Sequence, residues 1–115
     1  MEKIFNEKDI AKKIFDDRWV KFAFGSQGFI KTNKLNLGVV EFAKNTTAKT
    51  HKHNVEEALY VLSGSGKIKI ENNIFNLKEK DFVYVPENTD HTIITSKDSK
   101  VKILFMFSDK IVIEQ

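Results

Sequence analysis

After Phe15 the apolar positions of the chain fall into short runs rich in β-branched and aromatic residues: RWVKFAF, LNLGVVEFA, EALYVL, KIKIE, IFNL, DFVYV, HTIIT and KVKILFMF. Gly, Asn, Asp and Ser punctuate them, and several alternate apolar with polar at a period of two. Runs of that length and period predict strands, and so many short antiparallel strands in one small chain predict an all-β, two-sheet barrel or sandwich. Only the first residues read otherwise. Asn6 is placed to cap a short N-terminal helix over EKDIAKKIF, with Asp9 at its third position and Phe5 reaching Ile10 as a hydrophobic staple. Phe5, Ile10, Ile14 and Phe15 would then pack that helix on the outside of the sheets. Asn72-Asn73 suits the tight turn of a hairpin, because asparagine tolerates the positive φ of a type I′ turn. Pro86 closes DFVYV, where a strand must end. The SGSG stretch at Ser63–Gly66 reads as a hairpin turn that needs positive φ.

The 115 residues are expected to form one domain, 1–115, long enough for a core and too short for a second domain. Any site therefore lies within this domain or between copies of it. Cysteine is absent, which excludes disulfides and thiolate metal sites and leaves nitrogen and oxygen as the only ligands. The net charge of +3, from 19 basic and 16 acidic residues, is scattered without a Lys/Arg block or an aromatic-basic stripe, so no nucleic-acid partner is expected. The N-terminus MEKIFNEKDIAKK carries no apolar signal region, and no segment approaches the ~20 apolar residues of a membrane span. The expectation is a cytoplasmic protein with no membrane partner.

Histidine is scarce, yet two of the three, His51 and His53, stand one residue apart just ahead of Glu56 and Glu57. On an extended segment residues i and i+2 share a face, and that parity carries on from His53 to Glu57, Leu59 and Val61, leaving Glu56 on the other side. The third, His91, begins the run HTIIT. Three neutral imidazoles and a carboxylate make a first shell suited to a divalent first-row metal. Each residue alone also fits a plainer role: His91 as a hydrogen-bonded core residue, the His-x-His pair as exposed strand positions, Glu57 as a solvated charge.

Their combined spacing resembles that of the cupins. His51, His53, Glu57 and Gly64 match the first cupin motif, Gly-x5-His-x-His-x3,4-Glu-x6-Gly, with Asn45 in place of the leading glycine. Pro86 and His91 match the second, Gly-x5-Pro-x-Gly-x2-His-x3-Asn, with Lys80 and Asn88 at the glycines and Thr95 at the asparagine. Asparagine at positions 45 and 88 is a mild departure, since it is the non-glycine residue best suited to left-handed backbone. The resemblance spans Asn45 to Thr95, with metal-binding motifs at 45–64 and 80–95. It implies a double-stranded β-helix (jelly-roll) barrel in which His51, His53, Glu57 and His91 hold Mn, Fe, Ni or Zn.

By that resemblance the function is metal-dependent chemistry on a small polar molecule such as a sugar derivative or keto acid, as an isomerase, lyase, decarboxylase or dioxygenase. A non-catalytic cupin module that binds or senses a small ligand is the alternative, and a purely structural barrel is a third. No residue stands out as a catalytic acid or base, because Tyr60 and Glu56 point away from the barrel by parity. Trp19, Tyr60, Tyr84 and the phenylalanines are candidates for pocket walls. Open sheet edges and apolar faces predict a homodimer, with RWVKFAF available to extend a partner's sheet.

Overall fold

The computed structural model describes residues 3–109. Ten strands account for nearly all regular structure: β1 (Lys13–Ile14), β2 (Arg18–Gly25), β3 (Ile30–Lys31), β4 (Asn36–Phe42), β5 (Glu57–Gly64), β6 (Gly66–Ile70), β7 (Asn73–Leu77), β8 (Phe82–Val85), β9 (His91–Ile94) and β10 (Val101–Phe107). The larger sheet runs β1-β2-β4-β10-β5-β8 with β3 beside β2, and the smaller runs β7-β6-β9. Every pairing is antiparallel except the two-residue β2–β3 contact. The all-β jelly-roll expectation is met.

Between the sheets the period-two pattern delivers its apolar face. In the centre of the larger sheet Ile103 of β10 lies opposite Val40 of β4 and Val61 of β5. Val61 and Val101 are fully buried, with Ile68 of the smaller sheet packed in the same core. Phe105 lies across from Gly38, where a Cβ would come within 2.6 Å of its ring, so the glycine makes room for the phenyl group.

The smaller sheet is wider than its three strands. Residues 45–51 run alongside β9, with Asn45 N–H bonded to Ser96 O, Ala48 N–H to Ile93 O, and His51 and His91 exchanging both backbone hydrogen bonds. Extended pairing of this kind sets the two histidines side by side on one face.

The predicted N-terminal helix is a single 3-10 turn, Glu7–Asp9. Its capping box forms as expected, the Asn6 side chain accepting from Lys8 N–H and the Asp9 carboxylate from Asn6 N–H. Ile10 is already extended, and Lys13–Ile14 pair with Val20 and Trp19 instead of coiling. A nine-residue helix is marginal alone, whereas a sheet edge satisfies the same backbone groups. Phe5 stacks on Phe29 and meets Phe24 edge-on, and Ile14 is exposed, so the staple to Ile10 is not the packing that forms. Glu7 ties the turn to the outer face of the sheet through Lys102 and Lys21. The hydrogen bond from Lys102 is the main reason that the Glu7 carboxyl lies below its ordinary pKa.

Two turns also differ. The β6–β7 hairpin turns at Glu71-Asn72, one residue earlier than expected, and of the two only Glu71 has positive φ, so it is not type I′. Gly64, with φ of 81°, does need left-handed backbone, but it bends the chain from one sheet into the other rather than closing a hairpin. RWVKFAF, expected as an open edge, is flanked by β4 on one side and by β1 and β3 on the other.

Candidate metal centre

His51 and His91, paired across the sheet, have ring centroids 4.3 Å apart. Two residues on, His53 brings its ring to 4.8 Å from His51 and 5.6 Å from His91, and Phe107 of β10 packs edge-on against it. One ligand nitrogen from each of the three lies within 4.8 Å of the others. The hydrogen bond from Asn88 N–H to His53 O, 2.7 Å, anchors the loop that carries this histidine.

Backbone carbonyls orient two of the rings. His51 Nδ1 lies 3.0 Å from Lys49 O and His91 Nδ1 lies 2.9 Å from Thr89 O. A carbonyl only accepts, so each Nδ1 carries the proton and each Nε2 is turned toward the cluster, as ligand imidazoles require.

Glu57 enters from the opposite sheet. It begins β5 with its side chain inward, on the parity of Leu59 and Val61, and its Oε1 stops 2.9 Å from His91 Nε2. The two atoms are buried, and neither has a hydrogen-bond partner. Two acceptors so placed repel unless a proton or a cation lies between them. The structure thus brings together all four sequence-predicted residues, three imidazoles in one cluster and the carboxylate against the third. Glu56 faces outward, where its carboxylate accepts from the Tyr84 hydroxyl.

Burial sets the protonation of two rings. Desolvation holds His53 down at about 4 and keeps His51 below its usual value, so both are neutral near pH 7. Burial opposes charge on His91 as well, but the Glu57 carboxylate and the Thr89 carbonyl more than offset it, and its pKa is raised.

The cluster lies in the wall of a cavity of about 450 Å³ between the sheets. Phe22, Phe42, Phe105 and Phe107 supply much of its apolar lining, and Arg18, Lys49 and Lys52 add cations. Trp19, Tyr60 and Tyr84, candidates for this role from sequence, are not among the lining residues. Sequence reasoning also passed over Arg18, although it shares strand parity with Val20 and Phe22 in RWVKFAF and so was readable as inward-facing.

The glycine positions of the motif resemblance acquire a physical basis. Asn45, Lys80 and Asn88 have φ of 58°, 74° and 55°, so all three non-glycine replacements sit in left-handed backbone. Thr95, at the motif's final asparagine, hydrogen-bonds through its hydroxyl to Thr46 N–H and Ala43 O, joining the two motifs across the sheet.

The fold and cluster together define the class as a jelly-roll barrel with an imidazole-lined cavity. The chain belongs to the cupin domain family, whose model matches residues 38–107. A curated relative, acireductone dioxygenase from Leptospira interrogans, is 29% identical over 111 residues, covering 90% of this chain and 62% of the relative. The chain thus spans about three-fifths of that relative's length. Among solved structures, the polyketide cyclase RemF from Streptomyces resistomycificus superposes with a TM-score of 0.84 at 16% identity, covering 96% of this chain and 82% of that one. An RmlC-like cupin from Shewanella frigidimarina gives 0.76 at 19% identity, covering 95% and 92%. Among the described residues no helix is long and apolar enough to cross a membrane.

Proposed function

We propose that this cupin is a metal-dependent enzyme acting on a small polar molecule, with His51, His53, Glu57 and His91 as ligands to Mn, Fe, Ni or Zn. The observation that carries the reading is the buried pair Glu57 Oε1 and His91 Nε2, 2.9 Å apart and each without a hydrogen-bond partner, beside two imidazoles kept neutral by burial. That donor set fits a divalent ion: neutral nitrogens and one carboxylate, with two rings aimed by backbone carbonyls. When bound, such an ion supplies Lewis-acid polarisation of a carbonyl or enediolate, or an activated water. The chain's own contribution is to orient the ligands, exclude solvent with the phenylalanine walls and hold the substrate. Acireductone dioxygenase as a relative favours a small-molecule enzyme over a structural barrel. The test is elemental analysis of protein purified without an affinity tag, followed by a screen of sugar acids and keto acids. Absence of bound metal, together with failure to take up Mn, Fe, Ni or Zn, would sink it.

One observation favours a second reading, a cupin that binds or senses a ligand without turning it over. Among the described residues, the titratable side chains lining the cavity apart from the four proposed ligands are Arg18, Lys49 and Lys52, with no second carboxylate, tyrosine or histidine to move a proton. Ligand binding without turnover in the same screen would select this reading.

We also infer a homodimer, acting in the cytoplasm. Phe82, Tyr84, Met106 and Leu62 are exposed on the outside of the larger sheet. They adjoin β8, which among the described residues pairs only with β5. An apolar face continuous with an unpaired edge matches itself across a two-fold axis.

A further inference from the structure

The three imidazoles of the cluster are not held alike. His51 and His91 use one device, in which Nδ1 donates to the carbonyl two residues earlier, Lys49 O at 3.0 Å and Thr89 O at 2.9 Å. Such a bond fixes both the tautomer and the plane of a ring. For His53 the equivalent carbonyl is His51 O, which already accepts from His91 N–H at 2.9 Å in the pairing that joins the two segments. Among the described residues no group hydrogen-bonds the His53 ring. Its backbone is anchored through Asn88 N–H, but that anchor leaves the side-chain torsions free. What meets the ring instead is Phe107, edge-on, with centroids 5.0 Å apart and planes at 74°. Phe107 is buried and braced in turn: Phe105 lies 5.5 Å from it, and Phe22 meets Phe105 at 5.9 Å. The three phenyl rings form a file along the cavity wall that ends on His53.

We propose that Phe107 is a positioning residue of this centre: its ring holds the His53 imidazole by packing, where hydrogen bonds hold the other two, and His53 is in consequence the least firmly set of the three. Aromatic rings prefer edge-to-face contact, so a buried phenyl can orient an imidazole. Packing offers no donor or acceptor, however, and leaves the tautomer open. Because all three phenylalanines line the cavity, a molecule seated there touches the rings that set His53. The proposal deepens the metal reading above and rests on it for what the imidazoles hold, whereas the packing itself belongs to the metal-free chain.

The test begins with chelator-treated protein near pH 7, where burial keeps His51 and His53 neutral. Long-range proton–nitrogen NMR spectra read the tautomer of each ring, and relaxation of the ring carbons reads its order. The expected result is that His51 is confined to the Nδ1–H tautomer while His53 populates the Nε2–H tautomer as well. Phe107→Leu should lower the order of the His53 ring and leave that of His51 unchanged. Zinc is then titrated in competition with a chromophoric chelator. Phe107→Leu should weaken zinc binding at least about threefold, and should cost nothing further in a His53→Ala background, since it acts through that ring. A His53 ring confined to the Nδ1–H tautomer, or one as ordered in Phe107→Leu as in wild type, overturns the proposal. So does a Phe107→Leu protein that binds zinc as wild type does, or that loses as much affinity without His53 as with it. If Phe107→Leu fails to fold, the wild-type tautomers decide. A wild type that takes up no zinc would sink the metal reading, and the two metal-free measurements would still decide this one.

Discussion

Glu56 and Glu57, neighbours in the chain, do their work on opposite sides of one sheet. Glu57 is buried with Oε1 2.9 Å from His91 Nε2, while Glu56 is exposed and accepts a hydrogen bond from the Tyr84 hydroxyl on β8. Strand geometry alone enforces this, because successive side chains point to opposite faces.

Their amides should therefore behave differently. Glu57→Gln keeps the shape and removes the anionic oxygen from His91, and is expected to weaken zinc or manganese affinity at least about tenfold, as losses around metal sites commonly do. Glu56→Gln should leave affinity within about twofold. Calorimetric titration of both variants checks the pair, and equal losses would mean that Glu57 is not a ligand.

The pH dependence should show chiefly one proton. His51 and His53 are already neutral near pH 7, the latter with a pKa of about 4, whereas the pKa of His91 is raised beside Glu57. A metal binding at this site displaces the proton from His91, so affinity should fall as pH drops through that raised value. A slope near three in log Kd against pH would contradict it. In metal-free protein the signs divide. The depressed His53 and His51 contribute stability above their unfolded value of 6.5 that is lost as pH falls through their folded values, about 4 for His53, and the raised His91 contributes stability below 6.5 that is lost as pH rises through its folded pKa. Thermal melts of the chelated protein from pH 8 to pH 4, with His53→Ala as comparison, should show the first effect diminished in the variant.

Much of this site was legible in the sequence because strand parity is a short-range rule: once His53 is extended, the inward placement of Glu57, Leu59 and Val61 follows by counting. The pairing of His51 with His91 was not derivable that way. It depends on residues 45–51 joining β9 across a gap of some forty residues, and only the resemblance to the cupin motifs linked the two segments. The N-terminus was misjudged for a related reason. The cap at Asn6 is a local signal and forms, but whether Lys13 and Ile14 coil or pair is decided by the distant edge of β2. Arg18 was passed over, although parity with Val20 and Phe22 placed it inward.

Left-handed backbone gives a stability test in both directions. Lys80 has φ of 74°, which costs a side-chain residue about 1–2 kcal/mol and a glycine little, against a loss of about 0.5–1 kcal/mol for glycine's greater freedom when unfolded. Lys80→Gly is therefore expected to be neutral to stabilising, by up to about 1 kcal/mol, in a urea melt. Gly64→Ala should cost more than about 1 kcal/mol, because φ is 81° and the new Cβ would fall 2.0 Å from Lys100 O. A Gly64→Ala protein as stable as the wild type would show that the bend between the sheets is not fixed as described.

The proposed dimer rests on the outer face of β5, β8 and β10. There Phe82 is 81% exposed, Tyr84 57% and Met106 49%, and Tyr60 supports the Phe82 ring from the adjacent strand at 4.6 Å between centroids. Large apolar side chains held this open to water are unfavourable in a lone barrel and favourable against a copy of themselves. A stable interface buries about 800 Å² per partner, so the contact must extend beyond these residues along the sheet. Phe82→Glu would set one carboxylate near its own symmetry mate in an apolar contact, and so should shift the protein to monomer. Because Phe82 lies outside the barrel, its zinc affinity should be unchanged. Sedimentation velocity at micromolar concentration checks it: a wild type that is monomeric, or a Phe82→Glu variant that is as dimeric as the wild type, would place the contact elsewhere or remove it.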